Sequence, residues 1–171
     1  MLTARGKYGL KAMLHLATLE TDRTAQASEI AKVHNIPKKF LDAILGDLRK
    51  AGLVISRKGP GGGYALARRP REIQVGMVIR VLDGPLAPIA CASRTAFKPC
   101  SDCKDVKACA VRIVMTAARD ALSDVLDTVT ISDMVQPAKS SRKSAQGKSA
   151  QGKSAQGMAR RLLLDLPSRS A

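Results

Sequence analysis

Two β-prone runs, Val54-Ile55-Ser56 and Tyr64-Ala65-Leu66, flank the connector Arg57-Lys58-Gly59-Pro60-Gly61-Gly62-Gly63. A glycine-rich connector between such runs predicts a hairpin, because glycine accepts turn conformations that side chains resist. Two strands make no core by themselves. The hairpin must lie against helices, and the segments around it carry helical periodicity. Arg5 to Thr18 places Leu10, Met13, Leu14 and Ala17 at three- and four-residue spacing, which predicts one buried face. Ala27–Val33 reads as a short helix with Ser28 as N-cap and Ile30 and Ala31 inside. Pro37 to about Ala51 reads as a third helix. Pro37 takes the first helical position, where its missing N–H is not needed, and Gly52 is the left-handed stop. Phe40, Leu41, Ile44, Leu45 and Leu48 form its apolar stripe. Val75 to Leu82 is a fourth, ended by Asp83-Gly84-Pro85. Cys109 to about Thr128 is long and amphipathic, with Val111, Val114, Met115, Ala118, Leu122 and Val125 along one side, and Thr130–Val135 is one more turn. The fold class is mainly α with a small β-hairpin.

Charge divides the chain unevenly. The 171 residues carry 29 Lys+Arg against 14 Asp+Glu, a formal +15. Residues 1–82 hold +9 of this, residues 83–135 hold −1 and residues 136–171 hold +7. Basic surface of this size points to a polyanion partner, most often nucleic acid. Aromatic residues are only 2% of the chain, which disfavours a reader of single strands that stacks bases on flat side chains. No apolar run reaches the ~20 residues of a membrane span, and the N-terminus lacks the apolar stretch of a secretory signal. A cytoplasmic protein with reduced thiols and no membrane partner is expected. After Pro137 a five-residue KSAQG repeat begins, too polar to offset its ordering entropy, so residues 136–171 are expected to be a disordered basic tail.

Helix, short helix, turn, helix and basic hairpin is the order of a winged helix-turn-helix, in which the second helix of the pair enters the major groove and the hairpin follows the backbone or minor groove. Residues 36–71 hold nine Lys/Arg and two Asp. Lys38 and Lys39 suit phosphate or a guanine edge, and Asp42 suits a cytosine amino group. Arg49 and Lys50 lie at the far end of the helix, where they suit its C-terminus or a phosphate. The residues expected on a double-stranded operator are Ser28, Pro37, Lys38, Lys39, Asp42, Arg57, Lys58, Gly59, Gly61, Gly62 and Tyr64.

All four cysteines fall within 19 residues, as Cys91-x8-Cys100-x2-Cys103-x5-Cys109. Four thiolates in one loop and helix start can hold an iron–sulfur cluster or a tetrahedral zinc. Lys98, Lys104, Lys107 and the helix N-terminus are expected to favour thiolate over thiol. Redox-active thiols are the alternative. His15 is expected to pack on its helix and His34 to sit at the surface of a turn; Asp102 and Asp105 are expected to be solvated loop acids. An enzyme is the weakest class: no Ser-His-acid set, paired carboxylates or phosphate loop stands out, and Cys100-x2-Cys103 lacks the strand-to-helix setting of a thiol redox enzyme.

Gly52-Leu53-Val54, then Arg57-Lys58-Gly59-Pro60-Gly61-Gly62-Gly63-Tyr64, Ala67-Arg68 and Pro70, resemble the signature wing of the Rrf-two (Rrf2) family of bacterial transcription regulators. Lys7-Tyr8-Gly9-Leu10-Lys11-Ala12 resembles its first helix, and Gly76, Val78, Ile79 and Asp83 its post-wing helix. The resemblance covers about residues 1–135. It implies a homodimeric winged-helix regulator, a repressor, reading a pseudo-palindromic operator, with residues 1–83 as DNA-binding domain, 84–108 as cysteine-rich sensor loop and 109–135 as dimerisation helix and C-terminal turn. Cluster-sensing members carry three cysteines here, the last two about five residues apart. This implies that Cys91, Cys103 and Cys109 hold an iron–sulfur cluster, 2Fe–2S or 4Fe–4S, with Cys100 as an extra residue suited to be the fourth ligand. Iron, redox or nitric oxide status would be the signal. A cluster-free regulator governed by thiol oxidation or a protein partner is the other reading within the family. A non-specific basic protein that coats DNA is a third reading, separated from the others by operator selection at physiological salt.

Overall fold

The computed structural model describes residues 2–20, 22–59, 61–103 and 105–135. The KSAQG repeat and its expected disorder lie outside them. Six α-helices and one hairpin are found among the described residues: α1 (Ala4–Ala17), α2 (Ala27–His34), α3 (Lys38–Lys50), β1 (Val54–Arg57), β2 (Gly63–Leu66), α4 (Val75–Asp83), α5 (Ala110–Leu126) and α6 (Ile131–Val135). Single 3-10 turns stand at Pro70–Glu72 and Ala90–Ala92. The strands pair antiparallel, Val54 opposite Leu66 and Arg57 opposite Gly63. None of these helices is long and apolar enough to cross a membrane.

The core lies where α1, α3 and α4 meet the base of the hairpin. Met13, Ile30, Leu41, Ile44, Leu45, Leu48, Ile73 and Val78 are fully enclosed. The inward face of α1 differs from the one expected: it is Gly6, Gly9, Ala12, Met13 and Leu16, while Leu10, Leu14 and Ala17 flank it half-buried. The cause is the close approach of α4. A Cβ on Gly9 would stand 2.0 Å from the Leu82 side chain, and one on Gly6 2.3 Å from the Asp83 carboxylate. Small residues take the contact because larger ones would force the helices apart. The same approach lets Asp83 accept from the Thr3 N–H at 2.9 Å and the Gly6 N–H at 3.1 Å. A negative charge on the N-terminal end of α1 is favourable there.

The helix boundaries show which local signals decided. Pro37 is the N-cap of α3 rather than its first helical residue. Its ψ of 124° is extended, and its carbonyl already accepts from Phe40 and Leu41. Phe40 is 36% exposed instead of lying on the buried stripe, edge-on to Tyr8 at 5.9 Å. The end of α3 is as expected: Gly52 has φ 69°, and Leu53 donates to Leu48 and Gly52 to Arg49. Ser28 does not cap α2; Gln26 holds that position, and the Ser28 hydroxyl sits within the first turn, donating to the Gln26 side chain at 3.3 Å. After α5 the chain returns to the first half. Val75 donates to Val129 and Ile131 to Ile73, each at 2.9 Å, and Ile131 is fully enclosed.

His34, expected at the surface, is half-buried with its ring edge-to-face on His15 at 5.3 Å. The Nε2 atoms of both rings are shielded and have no hydrogen-bond partner among the described residues. Burial lowers the His34 pKa below its ordinary 6.5, and His15 and Lys11 nearby lower it further. Such a group takes up its proton more readily in the unfolded chain, so its stabilising share is intact above about pH 6.5 and is lost as the pH falls through the folded value. Urea unfolding at about pH 7 and about pH 5 should therefore show a drop in stability toward acid, and His34→Gln should make that drop smaller.

Candidate nucleic-acid interface and cysteine centre

The turn between α2 and α3 is set by Asn35, at φ 50°, with Ile36 donating to Ala31 at 2.9 Å. It delivers Pro37, Lys38 and Lys39 to solvent at the head of α3, with Ser28 exposed on α2. Lys38 sits 2.8 Å from the Asp42 carboxylate one turn on, so the two charges partly neutralise each other. At the far end Lys50 stands 3.5 Å from Asp47, which also pairs with Arg5, and Arg49 reaches the Ser56 hydroxyl at 3.4 Å. Those two cations serve the domain's own surface.

The hairpin is braced from one side. Ala25 and Tyr64 exchange backbone hydrogen bonds of 3.0 and 2.8 Å, and Thr24 donates to the Gly61 carbonyl at 2.8 Å. Arg57 donates to the Asp22 carbonyl at 3.2 Å and pairs with its carboxylate at 3.4 Å. A Cβ on Gly62 would lie 2.5 Å from the Arg57 carbonyl, and one on Gly63 2.5 Å from the Ala25 carbonyl. Gly62 is therefore bare because the hairpin closes on itself there. Gly59 and Gly61, at φ 98° and 78°, are exposed with open space above them. Lys58 is exposed beside them and has no ion-pair partner among the described residues. Tyr64 is half-buried against the core. The braces at Asp22 and Thr24 escaped the sequence reading, because neither residue lies near the wing in the chain.

The cysteines converge at the foot of α5. Cys91 is buried in the 3-10 turn Ala90–Ala92, Cys100 and Cys103 are half-buried in the loop, and Cys109 is the N-cap of α5. The Cys91 thiol faces Cys100, and Cys103 faces both Cys100 and Cys109. A carboxylate oxygen of Asp102 and the sulfurs of Cys100 and Cys103 lie within 4.8 Å of one another. Two soft donors and an oxygen grouped together, with Cys91 and Cys109 close enough to bear on their ionisation, fit a cluster or a soft metal. Asp105 accepts instead from the N–H groups of Lys107, at 2.7 Å, and Ala108, at 3.3 Å, closing the turn before Cys109. The thiols do not share one tendency. Burial raises the Cys91 pKa, with Cys100 adding to it, and burial raises that of Cys103, with Cys109 adding to it. Only Cys109 is lowered among these three, chiefly by the Arg112 N–H of the first turn of α5. The expected preference for thiolate is met at Cys109 and reversed at Cys91 and Cys103, where desolvation is the largest cause.

Two arginines of α5 grip the turn that carries Cys91. Arg112 donates to the Cys91 carbonyl at 2.8 Å and Arg119 to the Ala92 carbonyl. Arg119 also pairs with Asp120 at 2.6 Å, and Arg94 with the same carboxylate at 2.9 Å. On the remaining surface of α5, Val111, Val114 and Val125 are each at least 60% exposed, and no residue of the helix is buried.

Residues 2–137 match the Rrf2 family, described as an iron-dependent transcriptional regulator. An rrf2-like HTH-type transcriptional regulator of Rhodobacter capsulatus is 41% identical over 84% of this chain and 97% of its own length. The solved structure of CymR, the global cysteine regulator of Bacillus subtilis, is 32% identical, with a TM-score of 0.64 over 79% of this chain and 95% of that one. That of T. potens IscR is 30% identical, with a TM-score of 0.63 over 91% of this chain and 96% of that one. These relatives are regulators of transcription, not enzymes, and they share the winged-helix arrangement described above. The chain belongs to the Rrf2 family of DNA-binding transcriptional regulators.

Proposed function

We propose that two copies of this chain, joined along α5, read a pseudo-palindromic operator in the cytoplasm, and that an iron–sulfur cluster held by the cysteines sets how tightly they do so. The observation that carries the reading is the run of four neighbouring sulfurs at the foot of α5, tied to that helix by Arg112 and Arg119. Cys91, Cys103 and Cys109 would hold the cluster, with Cys100 or Asp102 completing the set. When bound, such a group supplies one-electron exchange and gain or loss of iron, and so reports redox, iron or nitric oxide status. The chain's own part is mechanical. Cys109 caps α5, and Arg112 and Arg119 hold the Cys91 turn against it, so a change in the loop's shape shifts the helix that joins the two copies. A tenfold change in operator affinity asks for only ~1.4 kcal/mol of difference between the two states.

The DNA-facing set is Ser28, Pro37, Lys38, Lys39, Asp42, Arg57, Lys58, Gly59, Gly61, Gly62 and Tyr64. Their parts differ. Lys38, Lys39 and Lys58 offer charge, Gly59 and Gly61 let the backbone come close, and Arg57, Gly62 and Tyr64 keep the wing in shape. The second reading, a thiol switch without a cluster, is supported by the likeness to CymR and by the facing thiols of Cys91 and Cys100.

Full-length protein purified without oxygen should contain iron and acid-labile sulfide and absorb visible light, and Cys91→Ser, Cys103→Ser and Cys109→Ser should each abolish both. Iron-free protein with undiminished operator binding, weakened on thiol oxidation, would select the thiol switch instead. Lys58→Ala should weaken operator binding about tenfold in a filter or fluorescence assay and reduce the slope of log affinity against log salt by about one. Val114→Asp places a charge on the 60%-exposed face of α5. It should keep the helical circular dichroism while sedimentation shows monomers and operator affinity falls.

A further inference from the structure

Between α4, the chain from Pro85 to Thr95 and the second half of α5 lies a recess of about 110 Å³ with no cysteine in its lining. Three arginines, Arg80, Arg94 and Arg119, line it with one aspartate, Asp127. Arg80 and Asp127 meet through two hydrogen bonds of 2.6 and 2.7 Å. Asp120, outside the lining, takes both Arg94 and Arg119. Three positive charges against two negative ones leave one in surplus. Arg119, with only 11% of its side chain exposed, meets Asp120 through two hydrogen bonds, so the surplus falls on Arg94. Arg94 commits one of its five N–H donors to Asp120 and is otherwise at the surface. The hydroxyls of Ser93, Thr95 and Ser123 also line the recess. Ser93 is buried and its oxygen accepts from the Ala96 N–H at 2.9 Å, which leaves its proton to donate.

We infer that this recess binds a small monoanion, a carboxylate or nitrate-type oxyanion of three or four heavy atoms. The room matches about three or four waters, which sets the size. The single surplus charge sets the valence, and the hydroxyl and guanidinium donors set the oxyanion chemistry. An ion there touches all three walls: Arg80 on α4, Arg94 beside the cysteine turn, and Arg119 on α5. It is a site for an effector separate from the sulfurs, at the joint between the reading domain and the long helix.

Thermal unfolding of the full chain tests this in a chloride-free buffer, with sodium acetate or sodium nitrate exchanged for sodium gluconate at constant ionic strength. Gluconate carries its carboxylate on a six-carbon polyol that a recess of about 110 Å³ does not enclose. Acetate or nitrate should raise the melting temperature saturably, by about 4 °C at tenfold excess over the dissociation constant. Arg94→Gln removes the surplus charge from a surface side chain and should abolish the saturable rise. Ser123→Leu fills the recess without changing charge and should do the same. A rise matched by gluconate, a rise that survives both substitutions, or no saturable rise with either ion would overturn the inference. The readout needs neither operator nor iron, so it fails or succeeds apart from the cluster reading.

Discussion

Arg80 on α4 and Asp127 at the end of α5 meet through two parallel hydrogen bonds, and that joint orders much of what lies around it. The pair raises the Arg80 pKa and lowers that of Asp127, so both groups are held in their charged forms. Gly76 belongs to the same joint: a Cβ there would stand 2.1 Å from the Asp127 carboxylate. The helix needs this anchor because it has no core of its own. Seventeen residues with none buried offer little hydrophobic contact beyond Leu126, half-buried against the core, so directed polar contacts help to hold the helix along its length. Arg80 fixes the C-terminal end, Arg112 the first turn and Arg119 the middle, the last two through the Cys91 turn. The chain then runs straight back into the first half, where Ile131 closes the core.

The wing shows a similar division between holding a shape and meeting a partner. Gly62 and Gly63 are glycine because carbonyls of the same chain leave no space for a Cβ. Gly59 and Gly61 face open space, so only their positive φ requires the residue type. Arg57 spends its guanidinium on Asp22, whereas Lys58 beside it has no ion partner among the described residues. A motif of one cation pair and a glycine run thus contains two jobs, and only the three-dimensional neighbours separate them.

Much of this was legible in the chain. Periodicity located every long helix, and Gly52 marked the end of α3, because these signals are local and nothing distant opposes them. Several departures have one cause, a neighbour far away in sequence. Leu10 and Leu14 had the spacing of a buried face, but Leu82 and Asp83 press so close that Gly6 and Gly9 take it. His34 looked like a turn residue until His15 covered it. Ser28 was the better cap by type, yet the chain enters α2 two residues earlier, straight from the Ala25 bridge to the wing. The cysteine spacing announced a shared site, but the differing tendencies of the thiols depend on burial and on the Arg112 N–H, which spacing does not encode.

Those differences bear on how a signal would be read. Cys109 is the thiol eased toward its charged form, and it stands at the one point where the loop becomes helix. Cys91 is the most enclosed, and its backbone carbonyl is what Arg112 grips. The thiolate-prone sulfur is thus half-open to solvent at the helix cap, while the sulfur of the residue whose carbonyl anchors the loop to α5 is enclosed. On the proposed reading, with a cluster or with a pair of oxidisable thiols, the same asymmetry would apply. On that reading, a change in bonding at Cys109 would act where the loop becomes helix, and the Arg112 grip on the Cys91 turn would pass it to α5 rather than let the loop fray.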